Sequence, residues 1–540
     1  MSALGLLDRL TRDRIPSRLW RRDPAVFLAS DAPAGLQTSI RERLGWLDSP
    51  GLYARHREPL TRFARDTAAD GLTEVVLLGM GGSSLCAEVL RDVAAPRSQR
   101  SLVVLDTTDE RSIRRVTERL QPARTLFLVA SKSGSTVEVT SLERHFWSVM
   151  KTLAADDPGR HFTAITDPET PLASLAATRG YRETFVNPPD IGGRYSALSL
   201  FGLVPATLLG VDLEILTESA GRMAASTQSD WDNPSLALGA FMAAHAASGR
   251  DKLTLLLAPE LDPLGPWIEQ LVAESTGKNG AGVLPIVGEM PGPAEEYGAD
   301  RAFVAVLAPG SQNTRSQAAA LGAAGQPVFI VETSADALGG ELFRWMFATA
   351  VAGAALGVNP FDEPNVREAK TRTANQLALY ERQGAFRLDP PFTEGREYSR
   401  REHHRSSEET PGLPAPYVAI LDYLPPDPRR TELVGRLRSA LRRRARLATT
   451  YGVGPRYLHS TGQFHKGGPN TGVFLLFTAA DASATPVPGA GYTFSTLKQA
   501  QALGDFEALA AADREVVHYH FDDPAIDPVQ AFERVLQSFR

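Results

Sequence analysis

Cysteine is nearly absent: the 540 residues contain one, Cys86. A lone thiol cannot close an internal disulfide, so packing must hold the fold, and a cytoplasmic setting fits. No apolar run reaches the ~18 residues a membrane helix needs. The first residues, MSALGLLDRLTRDRIPSRLWRRD, are charged too early and too often for a secretory leader. An excess of basic charge is also missing. The formal net charge is −6, which leaves no global signal for nucleic acid or an anionic membrane. Arg442, Arg443, Arg444 and Arg446 form a local basic run, read as the solvated face of a helix. Metal-ligand spacing is missing too. Adjacent His403 and His404 sit in a charged segment and lack it, so no metal or other cofactor is expected.

What is present is an ordinary globular composition, 43% hydrophobic and 22% charged, in a chain too long for one core. Roughly two to four domains are expected. Residues 1–70 read as helical and polar, with Trp20 and Trp46 as packing residues. From about residue 70, strand and helix patterns alternate. The runs EVVLLGM, SLVVLD (101–106) and TLFLVAS (125–131) are buried-strand candidates, with helical patterns such as SSLCAEVLRDV between them. Such alternation predicts a parallel sheet with helices on both faces. The pattern restarts with KLTLLLAP (252–259), VLPIVG (283–288), AFVAVLAP (302–309) and PVFIVET (327–333), among helices such as PWIEQLVAES and ELFRWMFATAVAGAAL. A charged, then Pro-rich break covers 383–415. Beyond it come YVAILDYL, a helix read over ELVGRLRSALRRRARLATTYG, the strand GVFLLFTA, a helix near 495–512 and EVVHYHF. The expected organisation is a helical segment (1–70), two doubly wound α/β units (71–215 and 216–382) and a C-terminal α/β extension (383–540).

Two turns carry the chemical signal. LLGMGGSSL, Leu77 to Leu85, is a strand running into glycines and serines. A dinucleotide fingerprint would place a third glycine at Ser84 and an acidic residue after the next strand, where Asp106 is a weak candidate. A Walker loop would need Gly-Lys-Ser/Thr, which this turn lacks. The remaining reading is an anion site made of backbone N–H groups and the Ser83 hydroxyl at a helix start. SKSGST, Ser131 to Thr136, repeats the arrangement after a neighbouring strand, with four hydroxyls and one lysine in six residues. Together the turns suit one phosphomonoester, because no motif for a second phosphate or for adenine is present.

GMGGSSL and SKSGSTVE together resemble the sugar isomerase (SIS) domain, a doubly wound phosphosugar binder. GGRYSALSLFGLVP (192–205), AESTGKNG (273–280) and NPFDEPNVREAK (359–370) narrow the resemblance to the glucose-6-phosphate isomerase family. It covers about residues 70–375. The C-terminal third is similar to the isomerase half of bacterial transaldolase/phosphoglucose isomerase fusions. The resemblance implies two SIS-type domains and aldose–ketose isomerisation of D-glucose 6-phosphate and D-fructose 6-phosphate through a cis-enediolate, in a homodimer. Residue by residue, it implies that Glu274 is the base, Arg194 stabilises the enediolate and Lys370 assists at the sugar ring. Gly82, Ser83, Ser131, Ser133 and Thr136 would hold the phosphate, with Lys132 flanking them. Glu274 near the end of a helix should have a raised pKa, suited to a base working near neutrality.

Two departures from the family stand out. Relatives usually have glutamine where this chain has Glu363. The ring-opening histidine, expected between base and lysine, is missing there. LHSTGQ instead occurs at 458–463, beyond the lysine, with His459 in the histidine slot and His465 as a second candidate. In the family this histidine comes from the neighbouring subunit, so its place in the chain is loosely constrained. A dual phosphoglucose/phosphomannose isomerase and a non-catalytic phosphosugar-binding regulator are the alternative functions. A regulator would have no reason to keep Glu274, Arg194 and Lys370 together.

Overall fold

The computed structural model describes residues 1–29, 31–153, 157–386, 398–399 and 416–521, with 527, 529, 530, 532, 533 and 537 near the C-terminus. His403, His404 and most of the 383–415 break lie outside the described residues. The first sheet is built from Glu74–Gly79 (β1), Ser101–Leu105 (β2), Thr125–Ala130 (β3), Phe162–Thr166 (β4) and Glu183–Val186 (β5). Its strands are all parallel, in the order 2-1-3-4-5. Leu77 and Leu128 pack on one face and Val76 and Phe127 on the other. Both faces are covered, which is why these strands read as continuous apolar runs rather than as alternation.

The second sheet contains Lys252–Leu257 (β6), Leu284–Ile286 (β7), Arg301–Leu307 (β8) and Val328–Glu332 (β9), all parallel, in the order 7-6-8-9. One core joins it to the first sheet through helices. Trp46, Trp345 and Phe343 lie at its centre with no exposed surface. Burying each such side chain is worth about 1.5–3 kcal/mol or more. Trp46 stacks on Tyr195 at 5.1 Å between ring centroids, which ties the N-terminal segment to the loop carrying Arg194.

The third sheet has Tyr398–Ser399 (β10), Tyr417–Asp422 (β11), Ala448–Val453 (β12), Gly472–Ala479 (β13) and Glu515–Phe521 (β14), in the order 10-14-13-11-12. It is parallel apart from the two-residue β10. The sequence pattern predicts one helix through 432–452, but two elements form there. The helix is Pro428–Ala445, and Arg446 leaves it with φ of 55°. Thr449, Thr450 and Val453 then continue as edge strand β12, their β-branched side chains suiting a pleated surface.

The basic run is not a uniformly solvated face either. Arg443 and Arg444 are exposed, but Arg442 is buried, paired with Glu296 at 3.0 Å and lying over the Tyr297 ring. Arg438 is buried beside it and donates to the carbonyls of Val287 and Gly288. The C-terminal layer is thereby fastened to the second. Its apolar face also takes in Leu284 and Ile286 of β7 and Ala273, which sits beside Glu274.

Candidate active site

In the first sheet the chain moves from β1 to β2 on one side and returns to β3 on the other. The crevice at such a switch point, beyond the strand C-termini, is where doubly wound sheets bind ligands. Gly79 and Ala130 are register partners, so the turns Met80–Ser84 and Ser131–Thr136 start side by side. Ser133 and Thr136 line a cavity of about 250 Å³ shared with Lys370 and His459. The Ser131 and Thr136 hydroxyls lie 3.1 Å apart. Lys132 points elsewhere: it pairs with Asp167 and donates to the Pro189 carbonyl at 3.0 Å. Gly82 is required by contact, because a Cβ there would lie 2.0 Å from the carbonyl oxygen of Gly193. Ser196 Oγ donates to the Gly82 carbonyl at 3.1 Å. The Ser83 turn and the Arg194 loop therefore touch backbone to backbone.

Arg194 is buried. Its Nε donates to Ser275 Oγ at 3.1 Å, and Nη2 donates to the carbonyls of Pro360 and Asp362, both at 3.0 Å. Nη1 sits between two carboxylates, Glu274 at 3.1 Å and Glu363 at 3.3 Å. Burial alone would pull this guanidinium's pKa down, but the two carboxylates hold it up. Glu363, the departure from the family pattern, thus faces the arginine rather than the serine turns. Burial is outweighed there as well, and Arg194 keeps the Glu363 carboxyl below its usual range.

Glu274 lies in the last turn of the helix Leu264–Thr276 and is 6% exposed. A solvated surface role is therefore ruled out. Its pKa is raised, chiefly by burial; Arg194 opposes the rise, Glu363 adds to it, and His459 opposes it. The helix end expected from the sequence to cause this rise is not its main source; loss of water and a second carboxylate are. One helical turn earlier, Gln270 Nε2 donates to Glu274 Oε2 at 3.1 Å and to the His459 carbonyl at 2.7 Å.

His459 Nε2 lies 2.8 Å from Glu138 Oε1, and Gln501 Nε2 donates to the same oxygen at 2.7 Å. Burial would raise the Glu138 pKa, yet His459 holds it below the ordinary value. His465, the second candidate, belongs to the core instead. It is buried against Phe474, with Nδ1 2.9 Å from the Tyr417 hydroxyl, and burial keeps it neutral. Lys370 is exposed on the helix Pro364–Gln383 and faces the shared cavity.

Sequence reasoning passed over Glu138, Gln270 and Gln463. Gln463 joins the motifs: Nε2 donates to the Gly277 carbonyl at 3.0 Å and to Asn365 Oδ1 at 2.7 Å, while Oε1 accepts from the Asn365 N–H at 3.0 Å. It fastens the end of the Glu274 helix to the start of the Lys370 helix. Lys278 adds a second tie, to Asp362 at 2.8 Å. Burial lowers its pKa to about 8. The signal for Glu138 was its place in the first turn of the helix that SKSGST opens. Among the described residues no group of three or more His, Cys, Asp or Glu side chains is placed to hold a metal ion, and no helix is long and apolar enough to cross a membrane.

The family model for phosphoglucose isomerase matches residues 64–282. A glucose-6-phosphate isomerase of Rubrobacter xylanophilus is 30% identical over 62% of this chain and 91% of its own length. One from Thermus thermophilus is 30% identical over 67% of this chain and 97% of its own length. Among solved structures, a hypothetical protein of Thermus thermophilus superposes with a TM-score of 0.59 at 26% identity, covering 69% of this chain and 95% of that one. A glucose-6-phosphate isomerase of Chlamydia trachomatis gives 0.53 at 18% identity, over 68% and 78%, and shares the fold.

Proposed function

This chain belongs to the phosphoglucose isomerase family, and from that premise we infer how its residues interconvert D-glucose 6-phosphate and D-fructose 6-phosphate. The enzyme is an aldose–ketose isomerase. Its site must open a sugar ring, move a proton between C2 and C1, and hold the negative charge that develops between those events.

The Gly82–Ser83 turn and the hydroxyls of Ser131, Ser133 and Thr136 are read as the phosphate anchor. Helix N-termini and N–H groups suit an anion there. Lys132, paired with Asp167, is read as bracing the turn. His459 is read as the ring-opening residue. As C1–O5 breaks, the O1 hydroxyl loses a proton and O5 gains one. Glu138 supports this by fixing the imidazole orientation and stabilising its charged form. Lys370 faces the same cavity and assists at the ring. Glu274 then takes the C2 proton and returns it to C1, Arg194 stabilises the negative charge on the enediolate oxygens, and the O2 hydroxyl proton passes to O1 as the C2 carbonyl forms.

The observation that carries this reading is the chain Arg194–Glu274–Gln270–His459–Glu138, a continuous run of contacts of 2.7–3.1 Å beside the phosphate turns. All five residues come from one chain. A homodimer, which the resemblance implies, would not be needed to supply the histidine. A cytoplasmic location fits the composition, with its single buried cysteine. A coupled assay of fructose 6-phosphate turnover by the purified chain tests the function. Tight binding without turnover would turn the reading toward a phosphosugar-binding regulator.

A further inference from the structure

His459 stands at the end of the loop that leaves β12, three residues after Arg456, and three anchors hold this loop. Tyr457 is buried within its own layer and donates to Asp505 Oδ2 at 2.6 Å. The His459 carbonyl accepts from Gln270. Arg456 reaches out of its layer to the first sheet. It forms an ion pair with Glu88, on the short helix that follows the Gly-rich turn, and its Nε lies 3.2 Å from Asp106 Oδ2 at the end of β2. Asp106 Oδ2 in turn accepts from Ser84 Oγ, a residue of the Gly-rich turn, at 3.3 Å. His459 itself rests on that turn: a Cβ at Gly81 would lie 3.1 Å from the His459 Cβ and 3.0 Å from its carbonyl oxygen.

We propose that Arg456 is a positioning residue, whose pairs with Glu88 and Asp106 latch the His459 loop onto the phosphate-binding turn. The geometry supports a specific latch. The arginine side chain is 29% exposed, Glu88 23% and Asp106 9%, so the pairs are shielded from water and worth more than a surface contact. The latch joins the C-terminal layer to the β1 turn itself, at a point where a shift of ~1 Å would move the acid–base group away from a sugar held by its phosphate. Glu269, on the Glu274 helix, also faces the guanidinium, and burial raises its pKa to about 7 while Arg438 and Arg456 oppose the rise. Loss of Arg456 would leave Glu88 and Asp106 facing one another without the cation they share.

The proposal rests on the reading of His459 as the ring-opening group, so its test separates the two. Ring opening interconverts the α and β anomers of glucose 6-phosphate without any C–H chemistry, and exchange NMR on the full chain follows it apart from isomerisation. Arg456→Met should slow enzyme-catalysed anomer exchange roughly 10- to 100-fold, the scale expected for a misplaced acid–base group. KM should change little, because the phosphate turn remains, and Arg456→Lys should recover part of the loss. In a His459→Ala background, Arg456→Met should add no further loss, since both act on one step. Asp106→Asn supplies the same reading should Arg456→Met fail to fold. Additive losses, or a change in melting temperature with anomer exchange intact, would overturn the latch alone. Unchanged exchange in His459→Ala would overturn the latch and the histidine reading together.

Discussion

His459 and Glu138 are 321 residues apart in the chain and 2.8 Å apart in space. The histidine comes from the C-terminal layer and the glutamate from the helix opened by SKSGST, so the pair forms only when those layers dock. His459→Ala should therefore remove general acid–base help from ring opening, a loss of roughly 10²–10⁴-fold in anomer exchange. Glu138→Gln should cause a smaller loss in the same step. An unaltered exchange rate in both variants would count against the dyad.

Glu363 offers a test through pH. In the proposed mechanism Glu274 must be ionised to take the C2 proton, so kcat/KM should fall as pH drops through its pKa, which lies above the ordinary 4.5. Glu363 adds to that rise as a like charge. Glu363→Gln, which installs the residue usual in relatives, should lower the Glu274 pKa and move the acid limb of the profile to lower pH. A limb that stays in place or moves upward would contradict this coupling.

Gly82→Ala tests the backbone contact between the turns. The added methyl would sit 2.0 Å from the Gly193 carbonyl oxygen, so one loop must give way. The Gly-rich turn and the Arg194 loop would separate, with KM rising and kcat falling by about 10-fold or more in combination. Steady-state kinetics on fructose 6-phosphate would show it.

Much of this architecture was legible because strands buried on both faces leave unbroken apolar runs; β1, β3, β6 and β8 are of that kind. Strand β12 escaped because its Ala-Thr-Thr-Tyr-Gly run follows a helix without a strong break, and its identity depends on pairing with β11. Arg442 looked solvated because a run of arginines carries no sign of Glu296 and Tyr297, some 146 residues away, that bury it.

At the proposed site, local motifs carry Glu274, Arg194 and the serine turns. AESTGK packs several tasks into neighbouring positions: Ser275 orients Arg194, Gly277 admits Phe464 at a distance no Cβ would allow, and Lys278 holds the 359–362 loop. Partners set by docking were not legible. Glu138 appears as one carboxylate on an amphipathic helix until the third layer brings His459 and Gln501 to it. The direction of the Glu274 pKa was right in the sequence reading, but burial, which causes most of it, is a property of the assembled layers.

In the proposed mechanism Glu274 carries the proton between C2 and C1 while a separate group opens the ring. The most direct measurement follows Glu274→Gln by two readouts on the same sample: coupled turnover of fructose 6-phosphate, and anomer exchange of glucose 6-phosphate by NMR. Isomerisation should fall by roughly 10²–10⁴-fold or more while anomer exchange persists. Full isomerase activity in Glu274→Gln, or loss of both rates in equal measure, would contradict it.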